Sequence, residues 1–172
     1  MDAASRRNTI YEIINQSNAP VSASSLAKRL NVSRQAIVGD IALLRAQGYE
    51  VIATARGYMT PEFREPNKYI GKIACSHSPE NTKNELYTIV NAGAVILDVI
   101  VEHELYGEIA GQLNLRNRQD VDAFLHKVKT SEVKLLSELT MGVHLHTIAC
   151  RDKAHFEQVC QALDKAGHLY KD

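Results

Sequence analysis

Apolar residues recur at helical spacing in three stretches of the first 46 residues, which predicts three short helices around one core. The stripes are Ile10, Ile13 and Ile14, then Leu26, Ala27 and Leu30, then Ile37, Ile41 and Leu44. Ser22 and Ser33 precede the second and third stripes, where a serine hydroxyl can cap the first turn of a helix. Asn31 tolerates the left-handed backbone that a tight turn between helices requires. The pattern therefore predicts a helix-turn-helix between Ser22 and Gly48.

After Gly48 the pattern changes to one typical of short strands. Tyr49–Thr54 and Tyr58–Thr60 flank the turn Ala55-Arg56-Gly57, which predicts a hairpin. A hairpin in this position would be the wing of a winged helix. In that fold the second helix of the motif enters the major groove of double-stranded DNA, so its outward side chains face the base edges.

The outward side chains of the predicted motif are suited to DNA. Arg34 can pair with guanine and Gln35 with adenine, each through two hydrogen bonds. The predicted interface has six residues in all: Lys28, Ser33, Arg34, Gln35, Val38 and Arg56. Lys28 and Arg56 are assigned to phosphates, which position a protein on DNA without reading sequence. The alternative is a helical domain that binds another protein, with Arg34 and Gln35 solvated.

The charge distribution mildly favours DNA. Residues 1–60 hold seven Lys or Arg against four Asp or Glu, a net charge of +3, whereas the remainder has a net charge of −3. Positive charge is therefore in excess on the segment that is predicted to meet phosphates.

Length and composition predict two small domains in 172 residues, of which 45% are hydrophobic. No run of apolar residues is long enough to span a bilayer and no hydrophobic leader is visible, so we expect a cytoplasmic protein without a membrane partner. The three cysteines form no CxxC pair, which favours free thiols.

Prolines and charged residues at 61–67 indicate a boundary between the two domains. We assign residues 1–62 to the first domain, 63–68 to a linker and 69–172 to the second domain.

The second domain combines strand and helix patterns in the order β-α-β-β-α-β-α. Predicted strands cover residues 69–76, 94–101, 109–115 and 142–150, and predicted helices cover 84–91, 120–130 and 155–166. This order suits an antiparallel sheet with helices on one face. The expected fold class is α/β of the α+β kind, with a winged helix-turn-helix followed by an open-faced sandwich.

Histidines in the second domain suggest a metal site. His144 and His146 point to the same face of one strand, about 6.6 Å apart. His77 at the end of the first strand and Glu85 early in the next helix are placed to approach that strand. Three imidazoles and a carboxylate suit a divalent transition metal such as Zn, Ni, Fe or Mn, and the spacing does not choose among them. Cys75 shares the face of His77 and is a reserve ligand, although a buried structural thiol is the other interpretation.

Each of these residues also has a structural explanation. His144 and His146 fit a pair of surface histidines, and His77 can simply close its strand. Thr82-x-x-Glu85 matches a capping box, in which the Glu85 carboxylate accepts a hydrogen bond from the Thr82 amide. The histidines in helices or near the C-terminus are not assigned as ligands: His126, His155 and His168.

Four ordered motifs together resemble the niacin-responsive transcriptional repressors of the NiaR type, in which a winged helix precedes a 3H (three-histidine) domain. They are SRQAIVGDIALLRAQGY, HSPENTKNEL, VEHELYGEI and LSELTMGVHLHTI, and the likeness covers nearly the whole chain. The resemblance implies a second domain with the topology of HPr and one divalent metal ion on His77, Glu85, His144 and His146. It also implies a homodimer that binds operator DNA, senses nicotinic acid and represses genes of niacin uptake or NAD synthesis, without catalysis.

The resemblance also bears on the effector and on DNA. His103, in the motif VEHELYGEI, is the remaining histidine of the family, and we expect it to line the effector pocket with Tyr106. Gly39 departs from related winged helices, where a larger polar residue is expected, so the resemblance does not define the operator sequence.

Two other functions stay open at this point. One is a regulator whose effector is the metal itself. The other is a metal-dependent hydrolase tethered to DNA, because a metal with an open position can activate water. The hydrolase needs a general base near the metal, and Glu85 is already assigned as a ligand.

Overall fold

A computed structural model describes residues 1–61, 65 and 68–171, which divide into two compact units, Met1–Pro66 and Asn67–Asp172. The linker predicted at 63–68 lies almost entirely outside the described residues. The helices are α1 Ala3–Asn15, α2 Ala23–Leu30, α3 Arg34–Ala46, α4 Thr82–Asn91, α5 Arg118–Thr130 and α6 Lys153–Lys165. The strands are β1 Ile52–Thr54, β2 Gly57–Met59, β3 Tyr69–Ser76, β4 Val95–His103, β5 Gly107–Leu115 and β6 Val143–Cys150. Among the described residues, no helix combines the length and the hydropathy that a membrane span requires.

Helices α2 and α3 begin at the predicted caps. Ser22 and Ser33 each accept a hydrogen bond of 3.1 Å from the amide three residues later. Asn31 has φ 53° and ψ 48°, the left-handed conformation expected between α2 and α3. Helix α1 begins at Ala3, earlier than the apolar stripe indicated, because the Asp2 carboxylate accepts hydrogen bonds from two amides of the first turn. The helix-turn-helix prediction is confirmed.

The three predicted stripes form one core. Its most buried side chains are Ile10, Ile14, Leu26, Ile37, Ile41 and Leu44, each at most 1% exposed. An ion pair also joins α1 to α3, since Arg6 Nε donates to the Asp40 carboxylate at 2.6 Å and Arg6 Nη2 donates at 3.2 Å. Apolar packing and this pair together fix α3 against α1.

The predicted wing is a short antiparallel hairpin of β1 and β2, in which Ile52 pairs with Met59. Tyr58 also exchanges backbone hydrogen bonds of 2.8 and 2.9 Å with Val21, which attaches the wing to the start of the helix-turn-helix. Gly57 has φ 137°, and a Cβ there would overlap the Val21 backbone. The turn therefore requires the glycine that the sequence supplies.

The second unit is a four-stranded antiparallel sheet with the strand order β3-β6-β4-β5. On one face, α6 packs so closely that a Cβ on Gly71 would overlap the Phe156 ring. On the other face of β3, Lys72 is exposed and Ile70 is 47% exposed. The predicted β-α-β-β-α-β-α order and α+β sandwich are confirmed.

Two irregularities of this sheet matter for the site. The β4–β6 register shifts between Ile96 and Ile100, and there the Asp98 carboxylate accepts a hydrogen bond of 2.9 Å from the Thr147 amide. In addition, the chain after α6 returns to the end of β3, where the Ser76 amide donates to the His168 carbonyl at 2.9 Å. The first feature places Asp98 beside β6, and the second places His168 beside β3.

Candidate metal centre and nucleic-acid interface

The carboxylate of Glu85 contacts all three histidines that were predicted to join it. His144 Nε2 lies 3.0 Å from Oε1 and 3.3 Å from Oε2, and His146 Nε2 lies 2.7 Å from Oε1. His77 Nε2 contacts Oε2. All four side chains are at most 3% exposed. The structure thus brings the four residues together in one buried cluster, which we call the Glu85 cluster.

Local structure explains the convergence. His144 and His146 share one face of β6 because side chains alternate along a strand. His77 directly follows β3, the antiparallel neighbour of β6, and Glu85 lies in the first turn of α4. The short link between β3 and α4 therefore directs the carboxylate at three rings from two adjacent strands.

The other nitrogen of each ring is held by a backbone carbonyl. The Nδ1 atoms of His77, His144 and His146 lie 2.8, 2.9 and 2.7 Å from the carbonyl oxygens of Ser78, Gly142 and Asp98, respectively. A carbonyl oxygen only accepts, so each Nδ1 carries a hydrogen and donates it. In the neutral imidazole, Nε2 then presents a lone pair. All three lone pairs point at the carboxylate.

Lone pairs on three nitrogens and two carboxylate oxygens repel one another unless positive charge lies among them. Three protons would leave a buried net charge of +2, which is costly in an environment of low polarity. One divalent cation would instead accept the lone pairs of all three Nε2 atoms and of the carboxylate oxygens. Histidine ligands in metal sites also typically donate their second N–H to a carbonyl or carboxylate. The donor set therefore fits a divalent transition-metal ion.

The pKa values of the cluster follow from burial and mutual attraction. Burial opposes the charge of Glu85, but the neighbouring imidazoles, His146 first among them, hold the pKa of this carboxyl well below its usual range. Burial also opposes protonation of His77 and His146, whereas contact with Glu85 raises the pKa of both rings. Protons and a metal ion therefore compete for the same nitrogens.

Two of the structural alternatives, the capping box and the pair of surface histidines, are wrong. Helix α4 begins at Thr82, its N-cap is Asn81, and the Thr82 hydroxyl is buried with no hydrogen-bond partner among the described residues. Glu85 therefore does not form a capping box, and its carboxylate is directed to the histidines. His144 and His146 are only 4% and 3% exposed, so they are not surface residues.

Sequence reasoning missed His168, which supports the cluster from outside. Its Nε2 donates to the Asn84 side-chain oxygen at 2.7 Å, and its ring meets that of His77 edge to face at a centroid distance of 5.2 Å. Burial and the nearby His77 lower the pKa of His168. Only the backbone pairing of the C-terminal segment with β3 brings this residue here, and no spacing in the sequence indicates that pairing.

The two residues expected at the effector pocket lie apart from the Glu85 cluster, at the β4–β5 turn. His103 Nδ1 accepts hydrogen bonds of 3.1 and 3.3 Å from the amides of Leu105 and Tyr106, and its ring lies 5.2 Å from that of Tyr106. His103 borders a cleft of about 1030 Å³ that Tyr170 and, from the Glu85 cluster, His144 also line. His77 borders a different cleft, of about 570 Å³, together with Lys134.

The structure places the predicted DNA contacts on and beside α3. Arg34 and Gln35 are exposed in its first turn, Ser33 caps it, and Val38 is half-buried. Lys28 is exposed in the last turn of α2, and Arg56 is half-buried in the turn of the wing. A Cβ on Gly39 would meet nothing within 4 Å, so packing within the chain does not require glycine there.

Comparisons with known proteins give the same division of the chain. The 3H domain family matches residues 70–172, and the HTH domain family matches residues 6–59. The transcription repressor NadR of Bacillus subtilis (strain 168) is 40% identical over 171 residues, which cover 98% of this chain and 95% of that protein. The probable transcription repressor NiaR of Thermotoga maritima is 40% identical over 167 residues, which cover 97% and 94%.

Proposed function

Because this chain belongs to the 3H domain family and is of the NadR and NiaR repressor type, we propose that it senses nicotinic acid through a metal-containing C-terminal domain. As a homodimer on operator DNA, it would control genes of niacin uptake or NAD synthesis. The observation that supports metal-dependent sensing is the convergence of three Nε2 lone pairs on one buried carboxylate. The exposed first turn of α3 supports the DNA-binding half.

A regulator is favoured over the tethered hydrolase. Hydrolysis needs a carboxylate or other base that is free to take a proton from water. Glu85 is engaged by His77, His144 and His146, so it cannot serve as that base while it holds the cluster together. The relatives are likewise named repressors.

The proposed docking on DNA predicts a loss of operator affinity when either of two exposed side chains is removed. Arg34→Ala and Gln35→Ala should each lower affinity for an operator duplex by about 5- to 150-fold, the equivalent of about 1–3 kcal/mol for a lost base contact. Fluorescence anisotropy can measure this on a duplex that the wild-type protein has selected from random DNA. Gln47→Ala is the matched control, because Gln47 is exposed at the other end of α3. Wild-type affinity in both Arg34→Ala and Gln35→Ala would rule out this docking.

For the effector, the cleft beside His77 is the better candidate of the two. A bound metal would supply an open position for the ring nitrogen or the carboxylate of nicotinic acid. Lys134 lines the same cleft, where its ammonium can pair with a carboxylate. The cleft that His103 and His144 line is the alternative site, and there the Nδ1 atom of His103 is already engaged by the turn.

Coupling between effector and DNA would act by population shift. Nicotinate would favour one relative placement of the two winged helices in the dimer, and typical coupling of about 1–3 kcal/mol changes affinity by about 5- to 150-fold. We therefore expect nicotinate to raise operator affinity within this range for metal-loaded protein and to have no effect after chelation. The measurement is a fluorescence anisotropy titration of the operator duplex. Nicotinate is varied at a fixed metal concentration, and metal is then varied at a fixed nicotinate concentration.

The same titration separates the two kinds of regulator. Equal operator binding with and without nicotinate would remove the niacin-sensing proposal. If metal alone changed the affinity by the full amount, the metal would be the effector and the Glu85 cluster its sensor.

A further inference from the structure

Cys75 lies at the buried side of the Glu85 cluster. It pairs with His144 in the β3–β6 register, so the two side chains are cross-strand neighbours on one face. On its other side, the Cys75 backbone forms an antiparallel bridge with Leu169. The residue is 0% exposed. Its position is therefore fixed by strands on both sides.

The Cys75 sulfur is within reach of an ion that Glu85 and His144 would bind. Its Sγ, a Glu85 carboxylate oxygen and a His144 ring nitrogen all lie within 4.8 Å of one another. A buried cysteine usually packs as a small hydrophobic residue. This one instead faces a carboxylate and an imidazole, the two kinds of group that bind metals beside thiolates.

Charge balance gives the thiol a specific role. A divalent cation held by Glu85 and neutral imidazoles retains a net charge of +1 among side chains that are at most 3% exposed. A thiolate would bring that charge to zero and so remove the cost of burying it. A thiol that coordinates a metal loses its proton outright.

We propose that Cys75 is a fifth ligand of the metal, in addition to His77, Glu85, His144 and His146. The S–H bond breaks as the sulfur–metal bond forms, and the proton passes to solvent. A thiolate ligand strengthens the preference for thiophilic ions such as Zn²⁺, Co²⁺ or Ni²⁺ over Mn²⁺ and Mg²⁺, which the imidazoles already favour. The inference rests on the proposed metal centre. It adds a fifth ligand to that centre and states which class of metal ion the centre prefers.

Cobalt gives a direct test, because a Co²⁺–thiolate bond produces a charge-transfer absorption in the near ultraviolet that nitrogen and oxygen ligands lack. The full-length protein is titrated with Co²⁺ under reducing conditions. We expect this band in the wild type and its loss in Cys75→Ser and Cys75→Val, while the visible d–d bands of bound cobalt remain. Cys150→Ser is the matched control: Cys150 is also buried but lies at the far end of β6, opposite Tyr69, and this variant should keep the band.

The outcomes separate this inference from the metal centre itself. Visible cobalt bands without a near-ultraviolet band in the wild type would overturn the role of Cys75 and leave the four-ligand site standing. Absence of any cobalt spectrum would remove both. Circular dichroism checks folding, and Cys75→Val supplies a buried apolar side chain without sulfur if serine is not tolerated. Co²⁺ affinity should fall by about tenfold or more in both variants, since even changes outside the ligand shell cost that much.

Discussion

Glu85→Gln is expected to weaken binding of Zn²⁺ or Ni²⁺ by about 100-fold or more. Glutamine keeps the shape of the side chain but removes the negative charge that attracts the cation and offsets its burial. It also places an NH₂ group where a carboxylate oxygen now faces one of the imidazole nitrogens. Competition with a chromophoric chelator on the full-length protein measures the affinity.

The matched control is Glu80→Gln, five residues earlier, in the short 3-10 helix Pro79–Asn81 that leads into α4. Glu80 is exposed and is outside the Glu85 cluster, so its loss should leave metal affinity unchanged. If Glu85→Gln bound metal as tightly as this control, the convergence of rings on the carboxylate would be structural only. Operator affinity in the presence of nicotinate should fall with metal affinity, because the proposed coupling passes through the same cluster.

The sequence predicts the four members of the cluster because their placement follows from short-range geometry. Alternation along β6 fixes His144 and His146 on one face, and the short link from β3 to α4 keeps His77 and Glu85 together. These relations depend on a few neighbouring residues, and apolar periodicity reveals the elements that carry them. The capping box was wrong for a similar reason: the Thr82-x-x-Glu85 spacing is local, but three rings from two strands attract the carboxylate more strongly than one backbone amide.

Contacts between distant segments could not be predicted. His168 meets His77 only because the chain returns to β3 after α6, and the Asp98 carbonyl reaches His146 only because the β4–β6 register shifts. The exact start of a helix was also not predicted from the apolar pattern. Helix α5 begins at Arg118, two residues before the predicted start, because Asn117 caps it with a hydrogen bond of 2.9 Å to the Asp120 amide. A side-chain cap before the apolar stripe leaves no trace in hydrophobic periodicity.

The three carbonyls that hold the Nδ1 atoms give the site its rigidity, and they come from three kinds of backbone. Ser78 precedes the short 3-10 helix, Asp98 lies at the irregularity of β4, and Gly142 directly precedes β6. Each fixes a ring orientation before any ion binds. We therefore expect metal affinity in this fold to depend on these backbone positions as well as on the ligands themselves.

Gly142→Ala is the strongest test of that dependence on the backbone. Gly142 has φ 97°, and a Cβ there would overlap the His77 carbonyl oxygen. The Gly142 carbonyl itself accepts hydrogen bonds from His144 Nδ1 at 2.9 Å and from the His77 amide at 3.4 Å. An added methyl group must therefore push apart two segments that carry ligands.

We expect Gly142→Ala to lower the free energy of unfolding by about 3 kcal/mol or more, from backbone strain at positive φ together with the collision. Metal affinity should fall by about tenfold or more, because the rings of His77 and His144 lose their alignment. Urea denaturation of the metal-free protein and chelator competition measure the two effects separately.

Gly107→Ala is the matched control. Gly107 also has positive φ, 75°, but a Cβ there would meet nothing within 4 Å. Strain alone should cost about 1–2 kcal/mol and leave metal affinity unchanged. Equal effects of the two substitutions on metal affinity would mean that the Gly142 backbone does not position the rings. A loss of affinity confined to Gly142→Ala would show that the turn before β6 positions the ligands, since both variants carry strain at positive φ and only Gly142→Ala displaces a ligand.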